Sequence, residues 1–230
     1  MTDPLTDLFE RNRRHRDGLD ADHFEGVRDG QSPRYVSMSC ADSRVSQEGM
    51  LAVEGPGVLF TPSTIGNRVW QPVDGDLVVD GSVLYPIEHT GTETVIVVGH
   101  TGCGAITAAL AAHRHGLDEP PGIRHDVELL SPVVEGAHEA GVVDPSMPES
   151  VAVNRLVEYN VDRQIDFLGD RREVPSDVDR YGMVYDFHRV YGEADGALVL
   201  VNANDETDPG RLREAVSDRF RDRVGRLTTR

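Results

Sequence analysis

Lysine is absent from this sequence: all 23 basic residues are arginines, set against 40 acidic ones, for a formal net charge of −17. Such a deficit of cations argues against a nucleic-acid partner, which needs clustered positive charge to neutralise phosphates. It argues equally against docking on an anionic membrane. Cysteine is scarce, with two in 230 residues, so no disulfide framework is expected to hold the fold. No apolar run approaches the ~18–20 residues of a membrane-spanning helix. The opening stretch MTDPLTDLFERNRR lacks the short apolar core of a secretion signal, so a cytoplasmic location is expected. Aromatics are only 6% of the chain and hydrophobic residues 38%, which is lean but sufficient at this length for a core without staples.

The acids are spread along the chain rather than gathered in a tail, which fits a folded protein with an acidic skin. That skin suits a high-salt interior, where screening over ~3 Å at molar salt removes most of the self-repulsion. An ordinary acidic protein with biased codon usage is the alternative.

Residues 34–40, 57–60 and 94–98 read as strands, and 94–98 (TVIVV) is a continuous β-branched run of the kind found in strands covered on both faces. Segments 5–28, 104–115, 126–140, 149–168 and 211–227 read as helices, and 182–191 and 196–201 as two late strands close enough to pair as a hairpin. Residues 61–80 and 116–125 read as loops. Strands alternating with helices predict an α/β fold: a mostly parallel central sheet of four to five strands flanked by helices. The chain reads as one domain over 1–230, with a helical N-terminal arm over 1–30 and a C-terminal helix over 205–230.

Two short segments concentrate chemistry. Cys40-Ala41-Asp42-Ser43-Arg44 closes the first strand, and His100-Thr101-Gly102-Cys103-Gly104 closes the strongest one. Sites in open α/β sheets form outside the carboxyl ends of strands, so neighbouring strands here would let Cys40, His100 and Cys103 converge. Two cysteines and a histidine with an open fourth position is a catalytic zinc pattern. Cys103 would begin a helix, whose positive end favours a thiolate. Asp42 is available as a fourth ligand or as an acid–base group, and Arg44 as a fixed cation beside it. Burial of the three as core residues, or a disulfide between the cysteines, stays open at this point. A cysteine-based phosphatase fits less well, because its loop needs five residues between Cys and Arg and this one has three.

These segments resemble those of the β-class carbonic anhydrases. Asn160-Val161-x-x-Gln164 is similar to a helix element of that family, and Met183-Val184-Tyr185-Asp186 to its late strand. The resemblance implies zinc held by Cys40, His100 and Cys103, and an Asp42–Arg44 dyad. In the open form of such a site Arg44 draws Asp42 off the metal and Asp42 accepts a hydrogen bond from the nucleophilic water; in the closed form Asp42 is itself the fourth ligand. By position, Gln31 would donate to bicarbonate, and Phe60 and Ile65 would line an apolar CO₂ pocket. The implied reaction is reversible hydration of CO₂ to bicarbonate and a proton, in a homodimer or larger even oligomer whose only other partner is the small-molecule substrate.

Three departures stand out. Ser63-Thr64 replaces the family's Arg-Asn. Leu84-Tyr85-Pro86-Ile87 carries a proline expected in a helix's first turn or at a kink. Ser37 stands where bicarbonate-regulated members carry Trp, which points to the non-regulated, plant-like type. A hydrolase of carbonyl sulfide or carbon disulfide, and a non-catalytic zinc-stabilised binding protein, are the alternatives. His113 and His115 read as a surface helix face rather than a proton shuttle, and Trp70 as packing.

Overall fold

The computed structural model describes residues 3–228. In chain order the elements are α1 (Pro4–Asp17), β1 (Tyr35–Cys40), α2 (Gln47–Met50), β2 (Leu59–Phe60), β3 (Ser63–Thr64), β4 (Trp70–Val73) and β5 (Asp76–Val79). Then follow α3 (Gly81–Thr90), β6 (Thr94–His100), α4 (Gly104–His115), α5 (Pro121–Glu128), α6 (Ser131–Glu139) and α7 (Glu149–Gly169). β7 (Asp179–Asp186), β8 (Ala197–Ala203), α8 (Pro209–Ala215) and a 3₁₀ helix (Asp218–Arg223) complete the chain.

The main sheet runs β2-β1-β6-β7-β8, with β3 also on the free edge of β1. All pairings are parallel except β7–β8, which form the antiparallel late pair expected from the sequence. β1 and β6 are direct neighbours, Val36 to Ser39 lying opposite Val95 to Val98, so their carboxyl ends open on the same side. From Val95 onward β6 is buried, with Thr94 half-buried at its start, as a strand covered on both faces requires.

α7 is the long helix against this sheet. Its closeness depends on two glycines: a Cβ on Gly99 would meet Val161 at 2.8 Å and Val157 at 3.0 Å, and one on Gly182 would meet Val161 at 2.7 Å. One apolar cluster joins α4, α6 and α7 to Val184, Val199 and Val201. A second joins Val36, Met38, Val95 and Val97 to α3, Trp70 and the end of α7. Trp70 therefore packs in the core, as expected, tilted against Phe167 at 5.1 Å.

Three expectations need correction, and a fourth, the place of Pro86, is narrowed. The 61–80 loop contains the hairpin β4–β5, closed by Asp74-Gly75 with both residues at positive φ. That is a two-residue type I′ turn, whose twist matches that of the strands. The helix expected over 126–140 is two, broken at Leu129 and Leu130, and α5 begins earlier, at Pro121. Pro86 lies in the second turn of α3, buried, with its carbonyl accepting from Thr92 N and Thr90 Oγ1. Finally, the C-terminal helix is interrupted at Val216, where the backbone is extended, so that Leu212 and then Val224 pack beside Leu200.

Beyond Val224 the tail enters the core. Arg226 donates to both oxygens of Asp162 at 2.7 and 3.3 Å and to the Val201 carbonyl at 2.7 Å, and lies 3.3 Å from Glu158. Glu158 also accepts from Tyr191 Oη and from the backbone of Leu227 and Thr228. Both carboxylates lie on α7 and are fully buried.

α1 is placed quite differently. It is capped by Asp3, which accepts from Thr6 N, and none of its residues is buried. Leu5, Leu8 and Phe9 remain 59%, 62% and 68% exposed. No helix among the described residues is long and apolar enough to cross a membrane.

Candidate metal centre

β1 ends on Cys40 and β6 on His100, and the parallel register brings the two ends together. The chain then turns through Thr101-Gly102, with Gly102 at φ 64°, and Cys103 becomes the N-cap of α4. The ligand atoms of Cys40, His100 and Cys103 lie within 4.8 Å of one another, all buried. The two sulfurs are 3.7 Å apart, well beyond a covalent bond, and both cysteines are free.

The histidine is prepared for a ligand. Its Nδ1 faces the Thr101 carbonyl at 3.1 Å, so Nδ1 carries the proton and Nε2 the lone pair. That Nε2 is buried with no hydrogen-bond partner, an arrangement that costs free energy unless something binds there. The cysteines share a proton. Hydrogen bonding from the Cys103 thiol lowers Cys40 to about 5, against the opposing effect of burial. The Cys103 thiol is pushed far up by the same bond and by burial, which outweigh the backbone amides of Ala105 and Ile106 at the start of α4. The helix amides are thus present as expected, and the short contact between the sulfurs favours ionisation of one thiol of the pair. Two facing thiols and an unpaired imidazole nitrogen form a donor set suited to zinc.

Asp42 and Arg44 stand at the edge of this set. Arg44 forks onto the carboxylate, Nε to Oδ1 at 2.9 Å and Nη2 to Oδ2 at 2.7 Å, and its backbone N–H adds a bond of 2.9 Å. Those bonds hold the Asp42 carboxyl well below the usual carboxylate range. Asp42 Oδ2 lies 3.5 Å from His100 Nε2. The carboxylate therefore faces Cys40, His100 and Cys103 while bound to Arg44.

A cavity of about 640 Å³ opens over Cys40 and Asp42. Ile65, Ala105, Ala108, Ile123 and Val127 make most of its wall apolar. Arg68 joins two sides of that wall, donating to the Ile65 carbonyl at 3.2 Å and to Asp126 of α5 at 2.5 Å. Ile65 thus lines the same cavity as Cys40 and Asp42. Gln31 and Phe60 are not brought there within one chain. Phe60 pairs with Val36, four residues back along β1, about 13 Å at the usual strand rise. It packs on Tyr85 at 6.2 Å. Gln31 is exposed before the start of β1, at the end of the strand away from Cys40. Ser63-Thr64 still forms a strand beside Cys40, with the Thr64 carbonyl accepting from Ala41 N.

Several supporting residues had no contact or role assigned from the sequence. Asn154 of α7 accepts from Gly102 N at 2.9 Å. Asp186 is buried and accepts from Thr101 Oγ1 at 3.3 Å, and His188 Nδ1 lies 2.9 Å from the same hydroxyl. The Asn160–Gln164 element pins the loop behind Ile65: Asn160 Nδ2 donates to the Gly66 carbonyl, and Gln164 Oε1 accepts from Val69 N. Spacing along α7 marks the buried face, but not which loop each amide meets.

Fold and site together define a class: an open α/β protein with a Cys₂His set able to hold a metal at the carboxyl edge of its parallel strands and a carboxylate–guanidinium pair beside it. The carbonic anhydrase family model matches residues 35–192, well over half of the chain. Carbonic anhydrase 2 of Mycobacterium tuberculosis is 34% identical over 126 residues, 55% of this chain and 58% of that protein. The chain thus spans little more than half the length of that relative. The carbonic anhydrase of Pseudomonas aeruginosa is 30% identical over 164 residues, 70% of each chain. Among solved structures, a Coccomyxa β-carbonic anhydrase in complex with acetazolamide superposes with a TM-score of 0.68 at 26% identity, covering 80% of this chain and 83% of that one. The chain belongs to the β-class carbonic anhydrase family.

Proposed function

We propose that this protein catalyses the reversible hydration of CO₂ to bicarbonate and a proton, with zinc held by Cys40, His100 and Cys103. The observation that carries the reading is the buried, unpartnered His100 Nε2 facing two cysteine sulfurs, with Asp42 3.5 Å away. When bound, zinc supplies a Lewis acid that lowers the pKa of water from 15.7 toward ~7.

The chain's own residues supply orientation and exclusion. Asp42 accepts a hydrogen bond from the attacking water and so fixes its direction. Because Arg44 holds its carboxyl ionised, Asp42 is an acceptor and not a proton store, and the released proton passes on to solvent. The apolar wall of Ile65, Ala105, Ala108, Ile123 and Val127 receives CO₂ and keeps competing water away from it. Arg44→Ala is expected to keep its metal but lose roughly 10²-fold in turnover, as metal analysis beside stopped-flow hydration would show. Unchanged turnover would remove Arg44 from the mechanism.

Gln31 and Phe60 fit substrate roles only at the site of a second copy, which agrees with the proposed homodimer or larger even oligomer. The exposed Leu5, Leu8 and Phe9 of α1 support the same reading, since an amphipathic helix of this kind gains stability by burying that stripe. We further read the chain as one cytoplasmic domain of the plant-like, non-regulated type, with Ser37 supporting that subtype. The net charge of −17 without lysine supports a saline interior. The melting temperature is then expected to rise between low salt and molar KCl, as repulsion among surface carboxylates is screened. A flat or falling curve in differential scanning calorimetry would count against it.

A further inference from the structure

We propose that Phe187 is a positioning residue for the Asp42–Arg44 pair: its ring keeps the Arg44 guanidinium forked onto Asp42, and so keeps Asp42 out of the metal's fourth position. The inference rests on the zinc reading above.

Arg44 needs such support. Its side chain is 48% exposed, and an ion pair with one partner in water is weak, the more so in high salt. Beyond its bonds to Asp42, the guanidinium has one long hydrogen bond, Nη2 to the Gly102 carbonyl at 3.4 Å. What lies against it is Phe187, with Arg44 Cζ 4.9 Å from the ring centroid. A ring in that position attracts the cation and shields it from water. It also narrows the side-chain conformations open to Arg44, which lowers the entropy cost of the fork.

Phe187 is itself held to the metal loop. Its ring stacks on His100, centroids 5.6 Å apart and planes 20° from parallel, and Tyr185 meets it edge-on at 5.7 Å. Its backbone N–H donates to Thr101 Oγ1 at 3.3 Å. One ring therefore touches both a metal ligand and the cation of the dyad. The carboxylate has little distance to travel, since Asp42 Oδ2 already lies 3.5 Å from His100 Nε2. Loosening Arg44 would let Asp42 turn toward the ligand set.

The test uses full-length protein loaded with Co²⁺, whose visible spectrum reports what occupies the fourth position without turnover. Azide is titrated against that spectrum in wild type, Phe187→Leu, Phe187→Tyr, Asp42→Ala and the Asp42→Ala/Phe187→Leu double variant. With Asp42 on the metal, azide must displace it. Phe187→Leu is therefore expected to raise the azide Kd about three- to tenfold at full metal content, the range of one cation–π contact. Phe187→Tyr should stay near wild type, because it keeps the ring. In the Asp42→Ala background Phe187→Leu should have no effect, since the carboxylate through which it acts is gone. An unchanged Kd in Phe187→Leu overturns the proposal, as does an equal rise with and without Asp42. Should Phe187→Leu fail to hold metal, the proposal stands or falls on whether Phe187→Tyr and Phe187→Trp both restore metal content and wild-type azide affinity. CO₂ hydration by the zinc-loaded wild type is measured in parallel. Its absence would overturn the catalytic reading while leaving the azide result to judge Phe187.

Discussion

Cys40→Ser is expected to lose zinc and CO₂ hydration together. Serine keeps the shape of the side chain, but a hydroxyl ionises far less readily than a thiol and is a much poorer ligand for zinc. Only His100 and Cys103 would remain of the three candidate ligands, whose atoms lie within 4.8 Å of one another. Metal content should fall from about one ion per chain to under ~0.1, because a zinc site of two protein ligands is not stable against exchange with water. Hydration should fall to within about tenfold of the uncatalysed rate, since the acidified nucleophile disappears with the metal. Emission spectrometry for zinc and stopped-flow hydration on one preparation would check both. Full zinc content in Cys40→Ser would mean that Cys40 is not a ligand.

The second large effect concerns stability. Arg226→Ala should destabilise the fold by about 3–5 kcal/mol, the usual result of stranding a buried charge. Arg226 is the cation between Asp162 and Glu158, which have no solvent exposure of their own. Burial alone would make the guanidinium easier to deprotonate, but the two carboxylates outweigh it and hold the charge on Arg226 more firmly. Total stability for a domain is about 5–15 kcal/mol, so the variant would be marginal, with a melting temperature lower by about 10–15 °C. Arg226→Met separates charge from volume and should lose nearly as much. Adding Glu158→Gln and Asp162→Asn to Arg226→Met should recover part of the loss. A shift of under ~2 °C for Arg226→Ala would mean that the tail does not occupy its buried position in solution.

The parts legible in sequence were those written locally. Cys40 and His100 each sit at the end of a hydrophobic run, and strand ends are where open sheets place chemistry. The β-branched run of β6 and the small-residue helix α4 appear within a residue or two of where spacing puts them. The hairpin β4–β5 carried a signal too, Asp74-Gly75 between short apolar stretches, but one easily read as loop. The C-terminal break had none of the usual breakers. Arginine-rich helical spacing continues through Val216, and only tertiary packing of Leu212 and Val224 beside Leu200 requires the chain to turn. The separation of Gln31 from Cys40 follows from arithmetic, since nine residues that include a whole strand span far more than a small active site. Phe187 could not be found this way: that it reaches both Arg44 and His100 depends on how β7 lies beside β6.

CO₂ hydration by the zinc-loaded protein is the most direct test of the account, followed by stopped flow in molar KCl from pH 7 to 9 with Cys40→Ser as control. The account predicts fast turnover that the control lacks. Zinc fully bound without turnover would contradict it, and carbon disulfide would then be the substrate to try.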